Sequence, residues 1–323
     1  MLFRKEEIME KQWLRNFPVS LFVSVMGITG LSIAYQNYAH FFPLAQNIGM
    51  VLLTIAFLLF FSLLIVYISK ILTHKHAVLA EFNHPVTANF FPVISISLLL
   101  LAIGSFDINQ IFSRALWLVG SSLHLMLSLI LMSRWITQKY DITNANPTWF
   151  IPIVGNILVP IVGVEFFDKE ISWFFFSIGL FFWLVMFQIV FYRLVFHDQL
   201  VKKLVPTLAI LMAPPAVGFC SYVKLTGSFD MFARIMLYLA LFLVLLLLSL
   251  ARQFFQLRFV VSWWAYTFPL CAVTIAFTIA ANFLPSFFMV WVSTGLLVLS
   301  SVVVALVAAK TVGAIFSKQL YEE

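Results

Sequence analysis

Charge is what this sequence has least of. Only 10% of its 323 residues are Asp, Glu, Lys or Arg, against about 25% in a soluble domain. The hydrophobic share is 63% and the mean hydropathy +1.05, so a water-soluble fold is excluded. Cysteine is scarce too. Cys220 and Cys271 both sit inside apolar runs, without a CxxC or Cys/His cluster, which excludes a disulfide framework and a zinc site. Ten-residue alternating strands are missing, so a β-barrel is excluded. Paired carboxylates, HExxH and nucleophile–base arrangements are missing from the apolar runs, so no catalytic residue, metal ligand or cofactor is assigned. Residues 1–16 lack an apolar segment and do not read as a signal peptide. The net charge of +6 is dispersed, which gives no footprint for nucleic acid.

Long apolar runs are what the chain has in quantity. A bilayer core about 30 Å thick needs roughly 20 apolar residues per helix. Ten such spans are expected, at 17–37, 47–73, 86–104, 112–135, 147–164, 171–192, 204–223, 229–251, 260–282 and 286–309. The fold class is an all-α integral membrane protein. Residues 1–16 form a short tail, 17–310 the transmembrane domain and 311–323 a second tail. Leu2, Phe3, Met9, Trp13 and Leu14 mark either an interfacial stripe on the first tail or a frayed end. Lys and Arg divide fifteen to four between the two sets of span ends, which by the positive-inside rule puts both termini in the cytoplasm.

Proline carries the internal order. NFPVS at 16–20 and NHPVT at 83–87 each open an uncharged run, with NPTWF at 146–150 and VPTLA at 205–209 as looser copies. Ten of the twelve prolines fall in or at the start of odd-numbered spans; the exceptions are Pro43 and Pro285. Proline in a first turn is tolerated and further in it bends a helix. A broken helix at membrane depth survives only where protein or a water-filled cavity covers it. The odd spans are therefore read as a bent inner layer and the even spans as a straight outer one, in five helical hairpins arranged as a ring. Phe22, Pro92, Pro152, Asn156, Pro214 and Thr267 are the candidates to line the passage inside.

Between their ends the odd spans hold no Asp, Glu, Lys, Arg or His. An uncharged inner layer has no side-chain proton relay, which favours a channel or uncoupled carrier over a pump. His124 lies deep in the fourth span; as an intramembrane histidine it is a functional candidate, and its outer helix favours a hydrogen-bonded packing role. His74, His76 and His84 share one loop without a carboxylate or thiol framework. Arg114, Lys169, Lys224 and Arg234 share the far rim with Glu165, Asp168, Glu170 and Asp230, so the rim carries both signs; Asp230 and Arg234 have helix-pair spacing. In VSWWAYTFPLCAVTIAF, residues 261–277, Trp263 and Trp264 suit an interface, and Phe268 stands directly before Pro269. Spacing alone leaves Phe268 as one of 37 phenylalanines, most of which fill helix contacts or face lipid.

WWAYTFP at 263–269 resembles the ninth-helix motif of the plant guard-cell slow anion channels. The wider pattern is similar to their bacterial homologue TehA, in the tellurite-resistance/dicarboxylate transporter family. GITGLSIAY at 27–35, NHPVTANFFP at 83–92, NPTWFIP at 146–152 and MAPPAVGFCSYV at 212–223 agree with it. The resemblance implies five hairpins around a pseudo-fivefold pore, a homotrimer in a bacterial inner (plasma) membrane, and passive flow of small inorganic anions such as chloride and nitrate. It implies a pore gate at Phe268, supported by Tyr266 and Pro269. The family's naming offers a second reading, a secondary transporter of dicarboxylates, sulfite or tellurium oxyanions. The chain departs from bacterial relatives at Val25, where they tend to carry proline. Its first tail has no Ser or Thr before Ser20, so control by phosphorylation there is not expected.

Overall fold

The computed structural model describes residues 13–255 and 257–316. Leu2, Phe3 and Met9, and most of the two tails, lie outside them. Among the described residues ten helices are long and apolar enough to cross a membrane: α1 (Val19–Tyr38), α2 (Leu44–Thr73), α3 (Thr87–Ser105), α4 (Gln110–Thr137), α5 (Pro147–Phe166), α6 (Lys169–Phe196), α7 (Lys202–Thr226), α8 (Met231–Ser249), α9 (Val261–Phe283) and α10 (Phe287–Ile315). Among the described residues there is no strand. Four even helices outrun the expected spans: α2, α4 and α6 extend two or more residues past one or both ends, and α10 reaches Ile315 rather than 309. A hydropathy reading stops at Arg193 or Lys310, whereas helical hydrogen bonding continues beyond the apolar stretch.

The odd helices differ from the even ones in their first turns. Val19–Phe22, Thr87–Phe90, Pro147–Phe150, Lys202–Met212 and Val261–Tyr266 are wound as tight 3-10 helix before the α-helical part begins. Pro92, Pro152, Pro214, Pro215 and Pro269 then stand in the first turn of the α-helical part, where a missing N–H is harmless. Pro269 thus sits just past the change of winding between Tyr266 and Thr267. Pro160 is the interior break, dividing α5 at Val159. Neighbouring side chains serve the carbonyls around that break: Trp117 Nε1 donates to Val159 O at 2.8 Å, and Ser221 Oγ donates to Ile157 O. This is how a broken helix is accommodated away from water.

Burial separates two layers. In the most apolar stretch of each odd helix 78–89% of residues are buried, against 22–44% in the even helices. Each odd helix packs on the even helix that follows it. The odd helices also touch one another in succession, α1 to α3, α3 to α5, α5 to α7 and α7 to α9, and α9 returns to α1. Hydroxyl groups bind the layers: Thr274 and Ser300 at 2.8 Å, Thr278 and Ser293 at 2.7 Å, and Ser113 Oγ donating to Ala102 O at 2.6 Å.

A buried ion pair closes one end of the first hairpin. Lys70 Nζ, on α2, lies 2.8 Å from Glu81 Oε2 and donates to Phe17 O at 2.7 Å. Glu81, on the short helix Lys75–Asn83, accepts from Tyr67 OH and from the backbone N–H of Val19 at 2.7 Å. The carboxylate therefore satisfies an otherwise orphaned donor at the start of α1.

Candidate functional site

Two cavities lie among the odd helices, and Phe268 lines both. The larger, about 190 Å³, lies toward the C-terminal ends of those helices. The smaller, about 50 Å³, lies toward their N-terminal ends. All five odd helices contribute to each. Only Leu158, Val217 and Phe268 are common to the two linings, so these three side chains form the partition. The linings run as helical stripes: Phe268, Ala272, Ile275 and Ile279 on α9, and Ala213, Val217, Cys220 and Lys224 on α7. Spacings of three and four residues are those of one helix face.

Phe268 is 6% exposed. Its ring is seated against α1 at Gly30, where an added Cβ would come within 3.1 Å of Phe268 Cδ2 and of Cys271 Cβ. Gly27, one turn earlier, faces Thr267 and Trp264 in the same way. Two glycines thus bring α1 close to α9 and leave room for the ring. The partition itself is wholly apolar. Asp107, Glu165 and Lys224 stand at the larger cavity with Gln36 and Asn37, and the smaller cavity has no charged side chain in its lining. An ion at the level of Phe268 has no fixed charge to replace its hydration, which makes that position costly.

The other sequence-derived candidates are placed differently. Pro269 lines the smaller cavity. Tyr266 faces away, its ring tilted against Phe254 at 5.3 Å, beside an apolar groove between α7, α8, α9 and α10. Phe22 turns to α2, edge-on to Phe60 at 5.9 Å and Tyr67 at 6.1 Å. Asn156 turns to α4, donating to Ser128 Oγ at 3.1 Å. Thr267 donates to Trp264 O at 2.7 Å and packs on Gly27. Pro92 and Pro152 offer carbonyls to Ser95 and Ser128, and neither they nor Pro214 line either of these two cavities. The lining residues the sequence did not single out, Leu158, Val217, Ala272 and Ile279, follow the prolines by one to three turns. For Val217, Ala272 and Ile279 the signal was the helical spacing from Pro214 and Phe268; Leu158 had none.

At the rim, Arg114 lies over the Phe167 ring at 4.6 Å and Arg234 over Phe229 at 4.7 Å. Asp230 does not pair with Arg234. It accepts from Tyr222 OH at 2.6 Å and caps α8 through the Ala233 N–H at 3.1 Å. Those bonds, Tyr222 first, hold its carboxyl below the usual carboxylate range. In the loop, His84 Nδ1 accepts from the amide N–H groups of Val86 and Thr87, ahead of α3.

The family described as SLAC1, voltage-dependent anion channel, matches residues 16–312. An S-type anion channel of Arabidopsis thaliana, SLAH2, is 33% identical over 85% of this chain and 56% of its own length. An uncharacterized transporter of Methanocaldococcus jannaschii is 26% identical over 80% of this chain and 83% of its own. A tellurite resistance protein TehA homolog of Haemophilus influenzae is 22% identical over 79% of each. The chain spans about half the length of the plant relatives it matches.

Proposed function

The chain belongs to the SLAC1 family of voltage-dependent anion channels, and on that premise we propose that it is a passive channel for small monovalent anions such as chloride and nitrate. Anions cross along the axis of the odd helices, and Phe268 is the gate. The observation that carries this reading is the partition: Phe268, with Leu158 and Val217, separates two cavities to which all five odd helices contribute. Closure then combines steric exclusion by a benzyl group with the cost of leaving water. Away from their terminal turns the odd helices have no Asp, Glu, Lys, Arg or His to couple flow to protons at the level of the partition, which supports a channel over a coupled carrier.

The same reading assigns residues 17–310 to a channel domain with pseudo-fivefold hairpins, flanked by tails at 1–16 and 311–323. The closed succession of contacts among α1, α3, α5, α7 and α9 supports it. The assembly proposed is a homotrimer in a bacterial inner membrane, with one pore per subunit and both termini cytoplasmic. Chloride and nitrate currents in planar bilayers test the gate. Phe268→Ala is expected to conduct much more than wild type, with Phe268→Leu between them. A well-folded Phe268→Ala protein that passes no more anion than wild type would falsify the assignment.

A further inference from the structure

His124 is the only histidine inside any of the ten spans, and its ring is fully buried. Nδ1 lies 2.9 Å from Ser95 Oγ, whose own hydroxyl donates to Pro92 O at 2.7 Å. With its one proton committed, Ser95 Oγ accepts from the imidazole. Nδ1 therefore carries the hydrogen in the neutral ring, and the lone pair is at Nε2. Nε2 is buried and without a partner. It rests against Gly155, where a Cβ would overlap both Nε2 and Cε1 and would crowd Ile96. Gly155 and Ile96 both line the smaller cavity. The free basic nitrogen thus stands one glycine behind the wall of a cavity of about 50 Å³, room for one or two water-sized particles.

We propose that His124 and the smaller cavity form a proton-linked anion site: Nε2 takes up a proton from water, the cavity takes up one small monovalent anion, and each strengthens binding of the other. The proposal rests on the reading of these cavities as an anion pathway. Its physical basis is charge balance. An imidazolium in a dry site without a counter-charge is expensive, and so is an anion in an uncharged cavity. The elements packed on α4 here are α3 and α5. They set Ser95 and Ile96, and Pro152, Gly155 and Asn156, around the ring, and none of these is charged. Arg114 and Arg134 on α4 itself are each ten residues away, about 15 Å along the helix. Glu165 on α5 is equally far from Gly155 in sequence. The counter-ion has to come from the cavity, and by linkage acid then favours anion binding as much as anion favours protonation.

Thermal melting of the purified full chain, in chloride against an equal concentration of gluconate, tests the site without requiring conduction. Chloride is expected to raise the melting temperature by several degrees at about pH 5 and by far less at about pH 8. His124→Gln should abolish that difference, while Glu165→Gln, at the larger cavity, should keep it. In liposomes, chloride flux through Phe268→Ala is expected to rise severalfold on the same acidification and to stay flat in Phe268→Ala/His124→Gln. An absent chloride shift at acid pH in wild type, or its survival in His124→Gln, overturns the proposal. If His124→Gln does not fold, Ser95→Ala keeps the imidazole but removes the acceptor for Nδ1–H. An unmoved midpoint of the pH dependence then counts against the site. Failure of Phe268→Ala to conduct, with the acid-dependent chloride shift intact, overturns the channel reading and leaves this one standing.

Discussion

Gly30 is the residue on which the position of the Phe268 ring depends. A methyl group there would stand 3.1 Å from both Phe268 Cδ2 and Cys271 Cβ. Cys271 Cβ is fixed to the backbone, so the ring is the part that gives way. Gly30→Ala is expected to cost about 1 kcal/mol by overpacking and to raise basal current by displacing the ring. In a Phe268→Ala background the same substitution should cost less, because its clash partner is gone, and a double-mutant melting cycle measures that coupling. Equal costs in both backgrounds would show that the ring does not rest on Gly30. At this scale the sequence was only partly readable. The resemblance pointed to Phe268, and Pro269 follows it into the cavity wall. Tyr266, Phe22, Asn156 and Thr267 face elsewhere because a helix buried on every side has no polar face to orient it. The direction of each side chain is set by its neighbours: α2 for Phe22, α4 for Asn156, and α1 for Thr267.

Among whole elements, the odd helices share a 3-10 opening, which in α3, α5, α7 and α9 passes into α-helix at a proline. The repeated Asn-x-Pro and Val-Pro openings marked where those helices begin, since proline punctuates a chain by fixed geometry. The winding itself was not legible, because 3-10 and α-helix differ by one residue in hydrogen-bond register and little in sequence preference. The start of α1 also depends on a distant carboxylate. Glu81 accepts from the Val19 N–H and pairs with Lys70, whose side chain is 3% exposed. Glu81→Gln would leave that ammonium buried without a counter-charge, and melting should report a loss of about 3 kcal/mol. Adding Lys70→Met should recover much of it by removing the stranded charge. A Glu81→Gln protein as stable as wild type would mean that Lys70 reaches water instead. No local pattern announced this pair, since its members lie eleven residues apart on different helices.

For the molecule as a whole, the division into odd and even helices was readable because proline and hydrophobicity report burial, and burial is what separates the layers. That separation yields a prediction about access from the two faces of the membrane. In a chain with Cys220→Ser and Cys271→Ala, new cysteines at Ile279, in the larger cavity, and Val154, in the smaller one, probe either side of the partition. A charged thiol reagent cannot cross lipid, so it samples only the water continuous with the side to which it is added. Ile279→Cys is expected to react from the side that holds the Asp107 loop, because Asp107 lines the same cavity. From that side Val154→Cys should be protected while Phe268 is present and become reactive in Phe268→Ala. Leu248→Cys, on the outward face of α8 at 48% exposure, should stay unlabelled from both sides when lipid covers it. A reporter fused at residue 318 should lie opposite the Asp107 loop, since ten crossings return the chain to its starting side and the loop follows the third. Rapid labelling of Val154→Cys from the Asp107 side with Phe268 intact would place the barrier elsewhere. Labelling of Leu248→Cys at the rate of Ile279→Cys would remove the division into an inner layer around water and an outer layer against lipid.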